Sequence, residues 1–184
     1  MTKNSCYVVA DPAKCTGCKA CELACFAEHS RMNNSTNWTV GTVKTPVTPR
    51  LFLTRTATLC MPVQCRHCED APCLNACQKH AISRIDNQVI IDHNKCIGCK
   101  DCIMACPFGA IAMLPYAEND ELKIQNSKEL FKWATKCDLC QGIEEGPACV
   151  RVCPNEALCL IDADATNRDK QIRAAESLYE SRNM

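Results

Sequence analysis

The chain has 184 residues, nineteen of them cysteine, and its 21 basic and 21 acidic side chains balance. Cysteine at this density indicates either a disulfide scaffold or a metal-binding protein. The balanced charge argues against the basic surface of proteins that bind nucleic acid. The N-terminus shows no signal peptide, and no apolar run approaches the roughly 18 residues of a membrane span. We therefore expect a cytoplasmic protein whose reduced thiols are free to bind metal.

The first group of four cysteines follows a short apolar segment. Residues 6–10 predict a strand. The first quartet has the spacing C-x₂-C-x₂-C-x₃-C and consists of Cys15, Cys18, Cys21 and Cys25. After it, residues 29–37 are polar and predict a loop, and residues 42–49, which contain two prolines, predict an irregular segment.

The second quartet is preceded by a predicted strand and followed by a predicted hairpin. Apolar and polar residues alternate over residues 50–60, a pattern that predicts a half-buried strand. The second quartet has the spacing C-x₂-C-x₄-C-x₃-C and consists of Cys65, Cys68, Cys73 and Cys77. Beyond it, the apolar residues 81–83 and 89–91 flank a polar turn at residues 86–88, a pattern that predicts a β-hairpin.

The third and fourth quartets are each followed directly by proline. The third repeats the spacing of the first and consists of Cys96, Cys99, Cys102 and Cys106. The fourth has the spacing C-x₂-C-x₈-C-x₃-C and consists of Cys137, Cys140, Cys149 and Cys153. Residues 107–114 and 154–161 are near copies that predict a turn and a short apolar strand. Residues 118–136 predict a segment that covers the core or contacts a partner.

The C-terminal residues 162–184 contain no cysteine and predict a helix. Thr166 and Asp169 resemble a capping box, and Ile172 and Leu178 belong to a narrow apolar stripe at helical spacing. An isolated helix of this length is marginal in water. We therefore expect it to dock on its own domain, on a second copy of the chain or on a partner subunit.

The spacing of the quartets indicates iron–sulfur clusters. Every quartet opens with C-x₂-C and closes with C-x₃-C, and two match the bacterial ferredoxin run. Three close cysteines wrap three corners of a [4Fe–4S] cubane, and the fourth ligates a neighbouring cluster. Gly17 and Gly98 suit a loop that approaches such a core closely. Zinc sites instead pair two C-x₂-C knuckles across a longer gap.

The sequence therefore predicts four [4Fe–4S] clusters held by sixteen cysteines. Together they add roughly eight negative charges to the neutral chain. Only nine residues are aromatic, so we expect the clusters to take the place of an aromatic-rich core, since metal-binding energy contributes to folding.

Ligand exchange requires the quartets to work in pairs. The short linker 78–95 favours a nested arrangement, in which quartets two and three pair and quartets one and four pair across them. Spacing alone also permits quartet one to pair with quartet two, and quartet three with quartet four. The nested arrangement predicts the ligand sets Cys15, Cys18, Cys21 and Cys153; Cys25, Cys137, Cys140 and Cys149; Cys65, Cys68, Cys73 and Cys106; and Cys77, Cys96, Cys99 and Cys102.

The predicted fold class is α+β. Two bacterial-ferredoxin-like (βαββαβ) units, the second inserted in the first, would place short hairpins and short helices around the clusters. The outer unit comprises residues 1–59 and 116–161, the inserted unit residues 60–115, and the helical tail residues 162–184.

The quartets, the wide gap in the fourth and the segment CRHCEDAPCLNAC resemble the four-cluster iron–sulfur subunits of molybdenum or tungsten oxidoreductases, in the molybdopterin (dimethyl sulfoxide reductase) family. The resemblance covers residues 5–160 and is greatest to the small electron-transfer subunits of formate hydrogenlyase and hydrogen-dependent CO₂ reductase. It implies the nested pairing and, as partners, a formate dehydrogenase-type catalytic subunit and a hydrogenase. Phe26 and Gln78 stand where many members of the family have proline, a difference that concerns loop geometry.

Three cysteines and four histidines lie outside this scheme. Cys6, Cys60 and Cys159 occupy apolar stretches and are expected to pack as small buried side chains; a regulatory thiol is the alternative. The histidines show no ligand spacing and are expected to be packed or solvated, although a hydrogen bond near a cluster is an alternative for the one inside a quartet, His67. They are His29, His67, His80 and His93.

Basic residues adjoin the cysteines. Lys14, Lys95 and Lys136 precede the first cysteine of three quartets, and Arg66 and Lys100 lie inside two quartets. Two interpretations remain open. These side chains either offset the cluster charge and raise reduction potentials or are solvated at the surface.

Catalytic motifs are absent from the sequence. There is no phosphate-binding glycine loop, no Rossmann fingerprint and no nucleophile–base arrangement, and fully ligated clusters leave no open coordination site. The prediction is a non-catalytic subunit that relays electrons between two redox enzymes. A free polyferredoxin carrier is one alternative, although such carriers use an acidic face for fast encounters. A cluster-delivery protein is another, although it would hold its clusters loosely.

Overall fold

The computed structural model describes residues 6–32, 48–115, 117–118, 121–122, 124–125 and 129–182. Helices and strands alternate along them, and the α+β class is confirmed. The helices are α1 (Ala20–Met32), α2 (Pro72–Asn75), α3 (Asp101–Ala105), α4 (Ala148–Arg151) and α5 (Ala163–Arg182). The strands are β1 (Cys6–Ala10), β2 (Phe52–Arg55), β3 (Cys60–Val63), β4 (Ile82–Ile85), β5 (Gln88–Ile91), β6 (Ala112–Pro115), β7 (Ala117–Glu118), β8 (Glu121–Leu122), β9 (Ile124–Gln125), β10 (Glu129–Leu130), β11 (Lys132–Thr135) and β12 (Leu158–Asp162).

The strands form antiparallel two-stranded ladders. β1 pairs with β12 in a register that places Cys6 opposite Asp162 and Ala10 opposite Leu158, and the predicted strand over residues 6–10 is confirmed. This ladder brings the segment before the first quartet beside the segment after the fourth. Its central residue, Val8, is fully buried and accepts hydrogen bonds at its carbonyl from Gln64 and Arg66 (3.1 and 2.9 Å).

The predicted hairpin after the second quartet is confirmed as β4 and β5. Asp86 and Asn87 form its turn with φ angles of 48° and 64°, the left-handed pair that a tight hairpin turn requires and that Asp and Asn tolerate. Arg84 on β4 donates to the carbonyl oxygens of Cys68 and, at 2.7 Å, Glu69. The hairpin is thus tied to the loop of the second quartet.

The strand predicted over residues 50–60 is wrong in its extent. The structure has two antiparallel strands there, β2 and β3, joined by a turn. The Thr56 hydroxyl accepts the N–H of Leu59 at 3.1 Å, and the Thr56 N–H donates to the Leu59 carbonyl at 2.8 Å. The alternation of the sequence continues through this turn and therefore concealed it.

The loop predicted over residues 29–37 is wrong for residues 29–32, which belong to helix α1. The helix runs through the fourth cysteine of its quartet to Met32, whereas Pro107 and Pro154 follow the fourth cysteines of quartets three and four. Phe26 keeps the backbone N–H that proline lacks, which permits the helix to continue. Residues 33–37 of that prediction, and residues 42–47 of the predicted irregular segment, lie outside the described residues.

The segment between quartets three and four contributes β11, which pairs with β6 and places Trp133 opposite Leu114. Trp133 also stacks on His93, with ring centroids 3.9 Å apart. One part of the segment predicted to cover the core therefore packs beside the third quartet. The side chains of residues 116–130 lie outside the described part of the chain.

The predicted C-terminal helix is confirmed as α5, but its start differs from the prediction. The helix begins at Ala163, where Asp162 accepts the N–H of Ala165 at 3.0 Å. Thr166 donates its hydroxyl to the Asp162 carbonyl (2.8 Å), so the capping box predicted at Thr166 is wrong. None of the residues of α5 is buried, and Leu178 and Tyr179 are each 71 % exposed.

Aliphatic side chains and cysteines together form the core. One cluster combines Val8, Leu51 and Leu158 with cysteines of all four quartets, and a second combines Ile82, Val89 and Ile111 with cysteines of quartets two and three. All nineteen cysteines are free thiols. Because cysteines lie among the aliphatic side chains of both clusters, the packing of the core depends on what their thiols bind.

Candidate functional site

Three cavities in the described part of the chain are each lined by four cysteines. In each, three cysteines come from one quartet and one is the last cysteine of another. The Cys18 group comprises Cys15, Cys18, Cys21 and Cys153. The Cys73 group comprises Cys65, Cys68, Cys73 and Cys106. The Cys99 group comprises Cys77, Cys96, Cys99 and Cys102.

The remaining four quartet cysteines lie together in the interior. The thiols of Cys137, Cys140 and Cys149 each interact electrostatically with that of Cys25, and all four side chains are buried. We call these four the Cys137 group. The structure thus brings together the cysteines that the nested arrangement places in each ligand set. That each set binds a cluster stays a prediction.

Left-handed backbone turns curl the loops around these groups. Gly17 and Gly98, each one residue before the second cysteine of its quartet, have φ angles of 73° and 75°. A Cβ at Gly17 would lie 2.8 Å from Cys60 Sγ, and one at Gly98 would lie 2.7 Å from the carbonyl oxygen of Lys132. Neighbouring hairpins thus pack directly on the cysteine loops, and only glycine permits both the turn and the contact.

Backbone N–H groups point at the sulfur atoms in every group. Donor–sulfur distances lie between 3.2 and 3.5 Å. The donor and acceptor residues are Arg50 and Cys25, His67 and Cys65, Ala134 and Cys96, Leu139 and Cys137, Ala148 and Cys140, and Ala157 and Cys153. Such donors stabilise thiolate, because hydrogen bonding to the charged form favours that form.

The environment of the thiols fits iron ligation. Burial raises the pKa of Cys21, Cys102 and Cys140 to about 11 and that of Cys149 to about 12. Cationic iron must therefore displace these protons, and metal binding is coupled to deprotonation. Among the described residues, no three His, Cys, Asp or Glu side chains are arranged to hold a single metal ion.

Sequence reasoning missed a charged network beside the Cys137 group. His29 donates to the Cys25 carbonyl (2.7 Å) and to Asp138 (2.8 Å), and Asp138 also accepts from Arg50. Since both ring nitrogens of His29 donate, the ring is an imidazolium. Burial opposes this charge, but the hydrogen bonds to Asp138 and Cys25 outweigh burial and raise the pKa of His29 to about 9.

Asp138 is the acceptor at the centre of that network. Burial alone would raise its pKa, but the hydrogen bond from His29 and the charge of Arg50 hold the pKa well below the usual range. Asp138 also accepts the N–H of Cys140 at 3.1 Å. The spacing of His29 four residues after Cys25 on one helix was a signal for part of this site; its partner, 109 positions away, left none.

A second buried network joins the second and fourth quartets. The Val89 N–H donates to His67 Nδ1 at 3.0 Å, and Lys136 Nζ donates to the Val89 carbonyl and, at 3.0 Å, to the Cys137 carbonyl. Burial and the Lys136 charge lower the pKa of His67 to about 3, so the ring is neutral with its hydrogen on Nε2. No described residue accepts from that Nε2.

The other histidines and basic residues are placed differently. His80 is exposed, and burial with the charge of Arg50 lowers the pKa of His93 to about 4. Lys14, Lys95 and Lys100 are exposed. Arg66 donates to a carbonyl of β1, as noted above, and lies 5.5 Å from the centre of the Tyr7 ring.

The three cysteines outside the quartets have different environments. Cys159 is exposed, so the prediction that it is buried is wrong: β12 is an edge strand and turns this side chain to solvent. Cys6 is half-buried against the core. Cys60 is half-buried and lies near Cys15 of the Cys18 group, where its thiol adds to burial in raising the pKa of Cys15.

Ferredoxin spacing, free thiols with N–H donors and cavities lined by cysteine define the class as a [4Fe–4S] electron-transfer protein. The chain belongs to the 4Fe-4S dicluster domain family, whose model matches residues 56–163. Hydrogenase-4 component A of Escherichia coli (strain K12) is 40 % identical, with 92 % of this chain and 90 % of that protein covered.

Two further relatives come from the same bacterium. Electron transport protein HydN is 37 % identical over 158 residues, with 85 % of this chain and 87 % of the relative covered. Formate hydrogenlyase subunit 2 is 36 % identical over 176 residues, with 85 % and 81 % covered. The resemblance argued from the quartets is therefore confirmed. In the part of the chain that the structure describes, no helix has the length and apolar character needed to cross a bilayer.

Proposed function

We propose that the chain holds four [4Fe–4S] clusters, one in each cysteine group, and relays electrons through them between two partner enzymes. The observation that carries this proposal is the repeated composition of the groups: three cysteines of one quartet and the last cysteine of its partner. A cubane with four thiolate ligands is saturated, so the role is electron transfer without catalysis.

The proposed architecture is two ferredoxin-like units, one inserted in the other. For the outer unit (residues 1–59 and 116–161), the support is the β1–β12 ladder and the packing of α1 on α4. For the inserted unit (residues 60–115), it is the packing of α2 on α3 and the β4–β5 hairpin.

Solvent exposure supports an order for the electron path. Cys18 and Cys99 are exposed, whereas the Cys137 group is buried throughout. Electrons would therefore enter and leave at the clusters of the Cys18 and Cys99 groups. The Cys137 and Cys73 groups would lie between them.

The names of the relatives support the choice of partners. We assign the chain to a complex of a molybdenum or tungsten formate dehydrogenase-type subunit and a hydrogenase, in the cytoplasm, where thiols stay reduced. The alternative is a free polyferredoxin carrier. Purification from the native source separates them, because a relay subunit co-elutes with large catalytic subunits and a carrier elutes alone.

The exposed helix α5 supports self-association as a further part of the proposal. Its apolar side chains at Ile172, Leu178 and Tyr179 are at least half exposed, which is costly unless another surface covers them. Truncation after Asp162 should reduce the size of the assembly, measured by light scattering. An unchanged size would eliminate this role.

The proposed cluster binding can be tested by iron content and by replacing a cysteine that one quartet is proposed to supply to the cluster of another. Anaerobically reconstituted protein should contain about sixteen irons, four per cubane. The C77S variant should perturb the cluster of Cys96, Cys99 and Cys102, seen by electron paramagnetic resonance, and C159S should change nothing because Cys159 is exposed and outside the groups. Perturbation of the Cys73 group by C77S would refute the exchange.

A further inference from the structure

We infer that Lys136 is a buried counter-charge shared by the clusters of the Cys73 and Cys137 groups, and that it raises the reduction potentials of both. The inference rests on the proposed cluster binding and assigns a role to a residue that is not a ligand. It also gives the junction between the two proposed units an electrostatic function.

The burial of Lys136 is unusual for a lysine. Its residue is only 4 % exposed, and its ammonium group donates to the carbonyl oxygens of Val89 and Cys137. None of the ion pairs between described residues includes Lys136. Burial of a charge without an opposite charge is costly. A negative group nearby would offset that cost and keep the ammonium charged.

Both cysteine groups lie beside this ammonium. Lys136 is bonded in sequence to Cys137, and its charge also acts on the thiol of Cys73. Val89, whose carbonyl it binds, lines the cavity of the Cys73 group. A [4Fe–4S]²⁺ core with four thiolates carries about −2, and reduction adds one more negative charge. A fixed positive charge between two such groups stabilises the reduced state of each.

The other cations near the junction, within the described part of the chain, act on one group each. Arg84 donates to the Cys68 carbonyl, and its charge opposes the rise that burial causes in the pKa of the Cys68 thiol, in the Cys73 group. His67 binds the other side of Val89 through Nδ1, which accepts a hydrogen bond and is therefore unprotonated. The ring is neutral and contributes no positive charge. Arg50 and His29 lie on the Asp138 side of the Cys137 group, where the carboxylate of Asp138 offsets their charge.

The chain contains a matched comparison for Lys136. Lys14 and Lys95 occupy the same place, directly before the first cysteine of a quartet, but both are exposed. The Lys95 side chain is 63 % exposed and lies 3.5 Å from the Asp92 carboxylate. Charges in such positions are screened by water and salt. We therefore assign the offset of cluster charge to Lys136 and solvation at the surface to Lys14 and Lys95.

The test is a redox titration of the reconstituted protein, followed by electron paramagnetic resonance, with iron content measured in parallel. K136M should shift two of the four clusters to more negative potentials, and K136Q, which keeps hydrogen-bond donors without the charge, should shift the same two. K95M is the control and should shift none. An unchanged titration in K136M or K136Q at full iron content overturns the inference.

A charge-conserving variant covers the case in which both neutral variants lose iron. K136R should then keep the full iron content and potentials near those of the wild type. Loss of iron from K136R as well would show that shape rather than charge is required, and would overturn the inference. A wild-type protein with far fewer than about sixteen irons would instead contradict the proposed cluster binding.

Discussion

Asp138 organises the most enclosed of the four cysteine groups. It accepts hydrogen bonds from His29, Arg50 and the N–H of Cys140, and so ties α1, the chain before β2 and the fourth quartet to one carboxylate. A half-buried carboxylate with two cationic partners holds them in place only while it is charged. The orientation of the Cys137 group therefore depends on a residue that is not a ligand.

Replacing Asp138 tests this dependence. In D138N the neutral amide leaves the buried His29 and the half-buried Arg50 without a counter-charge. We expect the free energy of unfolding of the reconstituted protein to fall by about 3 kcal/mol. Anaerobic denaturant titration of the cluster absorbance measures it. D92N is the control, because its exposed pair with Lys95 contributes less than about 1 kcal/mol. Equal losses in the two variants would contradict the prediction.

Residues like Asp138 also mark the limit of sequence reasoning here. The short linker 78–95 and the family resemblance predicted which thiols the structure brings together, whereas cysteine spacing alone left two pairings open. His29 contacts Asp138 across 109 positions within the outer unit, and Lys136 contacts Val89 of the inserted unit. Single residues at such separations show no pattern. The close approach of Cys60 to Cys15 is of the same kind.

Among the elements, the segments that follow the last cysteines of the quartets take two forms, a turn or a continued helix. After three of the quartets, the third residue beyond the last cysteine has a positive φ angle, in the left-handed region. Its N–H donates to the carbonyl of that cysteine. The three residues are His80, Gly109 and Glu156. After the first quartet, α1 continues instead. The departures from proline at Phe26 and Gln78 therefore have different structural consequences.

Introducing proline at these two positions separates the cases. F26P removes a backbone donor inside α1 and should cost at least about 3 kcal/mol in unfolding free energy, and it should displace His29. Q78P places proline in a turn that already resembles those at Pro107 and Pro154, so stability should stay equal or rise by roughly 0.4–1 kcal/mol. Denaturant titration and iron content measure both. Equal tolerance would mean that α1 is not required.

The elements also explain which predictions held. β1, the β4–β5 hairpin and α5 have strong local signals, namely an apolar run, an Asp-Asn turn and a long segment without cysteine. The single strand over residues 50–60 and the loop after residue 29 were wrong, because a turn without glycine and a missing proline leave the local pattern unchanged.

At the scale of the whole molecule, the core has few aromatic side chains and no disulfide, and its apolar clusters meet at cysteines. Metal binding must therefore supply much of the folding free energy. We expect anaerobic removal of iron by a chelator to abolish the cooperative unfolding transition, followed by circular dichroism. Iron and sulfide added back under reducing conditions should restore it, whereas a transition that persists without iron would show that the aliphatic core suffices.

The exchange of last cysteines also has a consequence for biosynthesis. A ribosome delivers the chain from its N-terminus at about 5–20 residues per second. With the proposed ligand sets, the Cys73 and Cys99 groups become complete once Cys106 emerges, whereas the first three cysteines of the first quartet wait for Cys153. The nascent protein thus carries an unfinished site through most of its synthesis. Cofactor insertion into the outer pair is thereby restricted to nearly full-length chains, and truncated products are left with open sites.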